Sequence, residues 1–204
     1  IFRAMNDFRS MNSDNLKKSK EASDDMSWTT VSSEYVIRRP WLIARCDKVK
    51  LPTGAVIDEY YVLEYPDWLN VIAITDEGKF VFVRQYRYAL KKTVNELCAG
   101  VCEDGEEPEA AARRELMEET GFGGGEWEKT MVLSCNASTC QNFTHCFIAR
   151  GVSHVGTQHL DNGEDIKVLL FTRDEVFGML QRGEIWQSLM AAPLWKFFYS
   201  ADNK

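Results

Sequence analysis

Residues 105–122 read GEEPEAAARRELMEETGF. Pro108 suits a first helical position and Gly121 the position just past a last one, so this stretch predicts a helix. At 100° per residue, Glu115, Glu118 and Glu119 share one face within an arc of about 100°. As an exposed stripe such crowding costs only about 0.2–0.5 kcal/mol per pair and means little. Position says more. Glu118 and Glu119 fall in the last turn, where the helix dipole disfavours anions by about 0.3–1 kcal/mol. Repulsion and dipole both oppose the arrangement, and a local conflict of that kind marks a functional site. A bound divalent cation removes both objections. Clustered carboxylates with no His or Cys at ligand spacing suit Mg²⁺ or Mn²⁺. Mg²⁺ so held keeps positions for water and phosphate oxygens, so the segment points to metal-assisted phosphate chemistry.

The flanking sequence is strand-rich. "WLIARCDKVKL", "AVIDEYYVLEY" and "WLNVIAI" are rich in β-branched and aromatic residues. Turn signals at Pro52-Thr53-Gly54 and Pro66-Asp67 separate them. "VIAITDEGKFVFVRQYR" reads as a hairpin turning at Asp76-Glu77-Gly78, its second arm apolar on both faces like a buried strand. "VNELCAG" is a further short strand. Strands are expected at 127–134, 144–149 and 166–171, then helices at 173–181 and 188–199, the last kinked or split by Pro193. This pattern gives an α+β fold with a mixed β-sheet between helices. Residues 1–25 read as a polar, flexible leader, 26–66 as an N-terminal β region, and 67–204 as the main domain.

Bulk properties narrow the function. A net charge of −7 disfavours a general nucleic-acid binder, which needs a basic surface. No apolar run approaches the ~20 residues of a spanning helix, and nothing resembles a signal peptide, so a cytoplasmic protein off the membrane is expected. The six cysteines are then expected as reduced thiols. They lack C-x-x-C spacing, which argues against zinc.

From Gly100 the chain spells G-x5-E-x7-R-E-U-x-E-E-x-G-U, with U apolar. Gly100, Glu106, Arg114, Glu115, Leu116, Glu118, Glu119, Gly121 and Phe122 fill every fixed position. Seven exact matches at roughly 6–7% usage each give a chance frequency on the order of 10⁻⁸ per start point. This pattern resembles the Nudix box, and the chain resembles the Nudix hydrolases. The resemblance implies a Nudix α/β/α sandwich, with Glu115, Glu118 and Glu119 as metal ligands beside the Ala99 carbonyl. Arg114 would hold a glutamate in place, and Glu106 would orient the loop-helix unit.

Beyond the box, the order of "VRQYR", "NELCAG" and a late "EDIKV" resembles the ADP-ribose or ADP-sugar pyrophosphatases. That resemblance implies hydrolysis of a nucleoside diphosphate sugar to a nucleoside monophosphate and a sugar phosphate. Arg87, and less strongly Arg84, would clamp the diphosphate, and Trp41 would stack on adenine. Glu164, on a loop at 161–168, would complete the metal site or act as general base; Asp161 is the substitute. The other tryptophans read as packing residues. A homodimer formed through residues 28–65 is implied as well. Ala137 stands where the subgroup carries proline, which keeps GDP-mannose, CoA derivatives and capped nucleotides open as substrates. A non-hydrolytic nucleotide-sugar sensor is a further alternative, disfavoured by the intact box.

Overall fold

The computed structural model describes residues 25–202. The leader expected over residues 1–25 lies, Asp25 apart, outside the described residues. Contacts divide the chain into two units, Ile1–Leu63 and Glu64–Lys204.

The N-terminal unit is a three-stranded sheet of β1 (Thr29–Arg39), β2 (Leu42–Lys50) and β3 (Val56–Glu64), in that order. β1 and β2 pair antiparallel from Thr29↔Lys50 to Arg39↔Leu42. Trp41 sits in the tight turn between them with φ 67° and is 85% exposed. Turn chemistry at Pro52-Thr53-Gly54 is as expected: the Leu51 and Ala55 backbones bond across it at 2.9 Å. β1 is exposed along its whole length.

The C-terminal unit contains β4 (Trp68–Thr75), β5 (Phe80–Arg87), β6 (Lys92–Glu96), β7 (Cys98–Val101), α1 (Pro108–Thr120), β8 (Phe122–Gly123), β9 (Glu126–Ser134), β10 (Phe143–His154), β11 (Lys167–Phe171), α2 (Arg173–Gln181) and α3 (Ser188–Asp202). Its sheet runs β11-β5-β4-β10-β8, with β6 on β5, β7 on β4 and β9 on β10. β4 and β10 are parallel while β5, β7 and β9 pair antiparallel with their neighbours, so the sheet is mixed.

Alternation along the central strands builds two cores. Leu69, Val71, Ala73 and Val81 pack with Ala111, Ala112 and Leu116 of α1. Ile72, Ile74, Phe80 and Phe82 pack on the opposite face with Val176 of α2 and Leu194 and Phe198 of α3. The unbroken apolar run Phe80–Val83 is buried on both faces for this reason. The expected sandwich of a mixed sheet between helices is therefore what forms.

α3 is not split at Pro193; the helix continues from Ser188 to Asp202. Proline lacks the N–H that would reach the carbonyl four residues back, here that of Leu189. The Asn70 side-chain amide donates to that carbonyl instead, at 2.8 Å, so no buried acceptor is left unpaired there.

Candidate active site

The carboxylate helix starts and stops as its residues dictate. Pro108 occupies the first turn, and Gly121 takes φ 72°, donating its N–H to the Met117 carbonyl. A Cβ at Gly121 would overlap the Gly156 carbonyl, so the position requires glycine twice over. The following chain then covers the helix end. Val155 N–H donates to Gly121 O at 2.9 Å, His159 N–H to Glu118 O at 2.9 Å, and the Gln158 amide to Glu119 O at 2.6 Å. These bonds satisfy terminal carbonyls. They also tether the start of the segment that carries Glu164 to the helix that carries the box.

The three glutamates share a face but not an environment. Glu119 is 5% exposed, whereas the Glu115 and Glu118 side chains are 14% and 43% exposed. Glu119 accepts the Ala99 N–H at 3.1 Å and a hydrogen bond from the Cys98 thiol. Burial outweighs those bonds and, helped by the charge of Glu115 and Glu164, pushes its carboxyl up to about 7. Burial also raises Glu115, against the pull of Arg114. Gly100 makes room for this: a Cβ there would overlap the Glu115 carboxyl.

Arg114 organises the cluster. Its Nε and Nη2 grip both Glu106 oxygens at 3.0 and 2.9 Å, a bidentate fork. Nη1 reaches Glu115 at 2.9 Å and Glu118 at 3.1 Å, and Nη2 also donates to Val101 O at 3.1 Å. The Glu106 carboxyl is held below its ordinary range by the Arg114 bond and by the Glu103 N–H. Glu106, in the loop before the helix, is thus joined to the helix through Arg114. Arg114 thus bonds both its chain neighbour Glu115 and, four residues on, Glu118.

Among the described residues, no three His, Cys, Asp or Glu side chains stand in metal-holding geometry. The donor chemistry nevertheless fits a hard divalent cation. Arg114 offsets Glu115 and Glu118, yet no ion pair is made to Glu119 among the described residues, and its buried carboxyl is driven toward neutrality. A cation there would restore the charged form.

Next to this cluster lies a cavity of about 620 Å³, sharing Ala99 and Gly100 with it. Arg87 lines the cavity, and its Nη2 and Nε hold Glu96 at 2.7 and 2.9 Å. Arg84, exposed and donating to Asn95 Oδ1 at 2.8 Å, lines a separate groove instead. The two arginines are thus separated by the structure. Glu164 is exposed; its carboxylate accepts the Asp161 N–H at 3.0 Å, and its charge is felt at Glu119 and Cys98. Trp41 belongs to the N-terminal unit. Trp186 is not the packing residue expected: it is 58% exposed, stands 3.9 Å from the Lys92 ammonium and borders both cavity and groove. Glu96, the partner of Arg87, was also not anticipated; only the β5–β6 pairing brings it near.

A carboxylate-bearing helix after a glycine-containing strand, on a mixed sheet covered by helices on both faces, defines a class of metal-dependent phosphohydrolase fold. The chain belongs to the Nudix family: the NUDIX domain matches residues 67–192. A nucleoside diphosphate sugar hydrolase N-terminal domain matches residues 28–63. An ADP-ribose pyrophosphatase of Bacillus subtilis (strain 168) is 29% identical over 163 residues, covering 79% of this chain and 88% of that protein. A methanol dehydrogenase activator of Bacillus methanolicus is 31% identical over 160 residues, covering 78% and 86%. The solved structure of an ADP compounds hydrolase superposes with TM-score 0.76 at 18% identity, covering 87% of this chain and 95% of that one, a likeness of fold.

Proposed function

We propose that this chain hydrolyses the diphosphate bond of a nucleoside diphosphate sugar, foremost ADP-ribose or another ADP-sugar. The products are a nucleoside monophosphate and a sugar phosphate. The observation that carries this reading is the pair of carboxyls raised by desolvation, half-buried Glu115 and buried Glu119, in a cluster that adjoins a cavity of about 620 Å³ through Ala99 and Gly100.

Mg²⁺, or Mn²⁺ in its place, would be held by Glu115, Glu118, Glu119, Glu164 and the Ala99 carbonyl. When bound, the metal supplies charge neutralisation and an acidified water. The remaining work falls to side chains. Arg87 uses Nε and Nη2 on Glu96, which leaves Nη1 to donate to a phosphate oxygen. Glu164 takes the proton of the attacking water while the bridging P–O bond breaks and its electrons leave with the departing phosphate. Arg114 and Glu106 hold the glutamates in place without touching substrate.

We also propose a cytoplasmic homodimer. β1 exposes Val31, Tyr35, Val36 and Ile37, an apolar row that association would cover. No helix among the described residues is long and apolar enough to cross a membrane. Trp41, exposed in its turn, is available to stack on a base. A second reading, another sugar nucleotide such as GDP-mannose, is supported by Ala137 in the loop between β9 and β10.

Incubation with Mg²⁺ and a panel of nucleoside diphosphate sugars, dinucleotides and CoA, with product separation, tests the proposal. Selective release of AMP and ribose 5-phosphate from ADP-ribose is expected. Turnover of none of the panel would refute it, and preference for GDP-mannose would select the second reading.

A further inference from the structure

Cys135 and Cys140 bracket the turn that joins β9 to β10. The ladder between those strands ends at the pair Ser134↔Phe143, so both cysteines lie just past it. A tight turn returns the chain: the Thr139 and Cys140 N–H groups both donate to the Asn136 carbonyl, at 3.0 and 2.8 Å. The Asn136 side chain braces the turn, its Oδ1 accepting the Ser138 N–H at 3.3 Å and the Ser138 hydroxyl at 2.6 Å. Beyond the turn the chain is anchored again. The Asn142 amide donates to Pro66 O at 3.0 Å, and the Phe143 N–H to Asp67 Oδ1 at 2.8 Å. Closing this turn brings the two cysteines together, and their thiols share a hydrogen bond.

Other bonds build the turn, and a thiol is a weak donor and a weak acceptor, so the contact adds little to the fold. Neither cysteine lines the cavity beside the box. Access sets the pair apart from most of the other thiols. Cys98, Cys102 and Cys146 are buried, whereas Cys135 and Cys140 are half-buried and within reach of a small oxidant. Burial and the neighbouring sulfur hold the Cys135 thiol above its ordinary value. A thiol that keeps its proton attacks slowly, which suits Cys135 to the second step of a two-step oxidation. Away from secretory compartments, a bond between such a pair is transient and redox-sensing rather than structural.

We propose that Cys135 and Cys140 form a reversible disulfide in response to peroxide, and that it locks the β9–β10 turn. The Cys140 sulfur attacks one peroxide oxygen, the O–O bond breaks, and a sulfenic acid and one water result. The Cys135 sulfur then displaces the sulfenic hydroxyl, which leaves as a second water with the Cys135 proton. The two thiols lose two electrons and two protons, and hydrogen peroxide takes up both. A dithiol reductant reverses the bond by exchange and ends as its own disulfide. The closed ring runs from residue 135 to 140 and contains Ala137.

The test treats the whole reduced chain with a small excess of hydrogen peroxide and follows it by mass spectrometry. Intact mass should fall by about 2 Da, the two hydrogens lost, as free thiols drop from six to four. Trypsin cuts after Lys129 and Arg150, so tandem spectra of that peptide should place the bond between Cys135 and Cys140 with Cys146 still a thiol. Dithiothreitol should restore all six thiols. Amide exchange over residues 136–140 should slow in the oxidised form. Cys135→Ser should stop at the sulfenic acid, trapped as a dimedone adduct, and Cys140→Ser should lose the mass drop.

A bond to any other cysteine would overturn the proposal, as would oxidation of half-buried Cys46 before this pair. Amide exchange that oxidation leaves unaltered would overturn it as well, because the turn is then not locked. Should either variant fail to fold, the wild-type peptide map and exchange data decide alone.

Discussion

Replacing Glu119 by Gln separates stability from catalysis in a way that only a metal-binding carboxylate should. Glu119 is 5% exposed, and its carboxyl is raised by burial from 4.5 to about 7 in the metal-free chain. A folded-state value above the unfolded one gives stability that is full below the unfolded value and is lost as pH rises through the folded one. Near pH 8 the charged carboxylate should cost the metal-free fold about 3 kcal/mol, and near pH 5 about 1 kcal/mol or less. Gln keeps the shape and an acceptor for the Ala99 N–H and removes the titration. Metal-free Glu119→Gln should therefore exceed wild type by roughly 6–12 °C in Tm near pH 8, with the gap shrinking toward pH 5. Saturating Mg²⁺ should stabilise wild type, most at the higher pH, and the variant much less. Turnover of ADP-ribose should fall by orders of magnitude. Thermal unfolding at both pH values, with and without Mg²⁺, and a single turnover assay measure all of this. A pH-independent gap between the two proteins, or near-normal turnover in the variant, would refute the reasoning.

Three further outcomes are expected. Arg114→Lys loses the bidentate hold on Glu106 and the reach to Val101 O, so urea unfolding should show a loss of about 2 kcal/mol, with turnover reduced at least tenfold. Unaltered values would show that a point charge suffices. Thr172→Ala removes the capping box at the start of α2, in which Thr172 and Glu175 cap each other, and should cost about 1 kcal/mol with unchanged kcat. Val36→Glu places a charge in the exposed row of β1 and should convert a dimer to monomer by light scattering; an unchanged mass would remove β1 from the interface.

Much of the site was legible because its chemistry is local. Glu115, Glu118 and Glu119 lie within five residues on one helix, and helical spacing alone brings them to one face. Pro108 and Gly121 mark the ends through their own backbone preferences. The double-faced burial of β5 was readable from its unbroken apolar run. That α3 runs unsplit through Pro193 was not legible, because the carbonyl the proline leaves free is bonded by Asn70, 119 positions away from Leu189 in sequence. Trp186 misled: an aromatic in a polar loop looks like packing until its neighbours are known.

The sequence by itself determined the family, the carboxylate helix and the mixed sheet between helices. Each follows from residue type and short-range spacing, which the backbone converts directly into geometry. Only the tertiary structure decided that Glu119 is the buried member of the three and that Arg87 rather than Arg84 borders the cavity. Burial and convergence arise from strand pairing and layer packing between distant segments, and no local pattern encodes them.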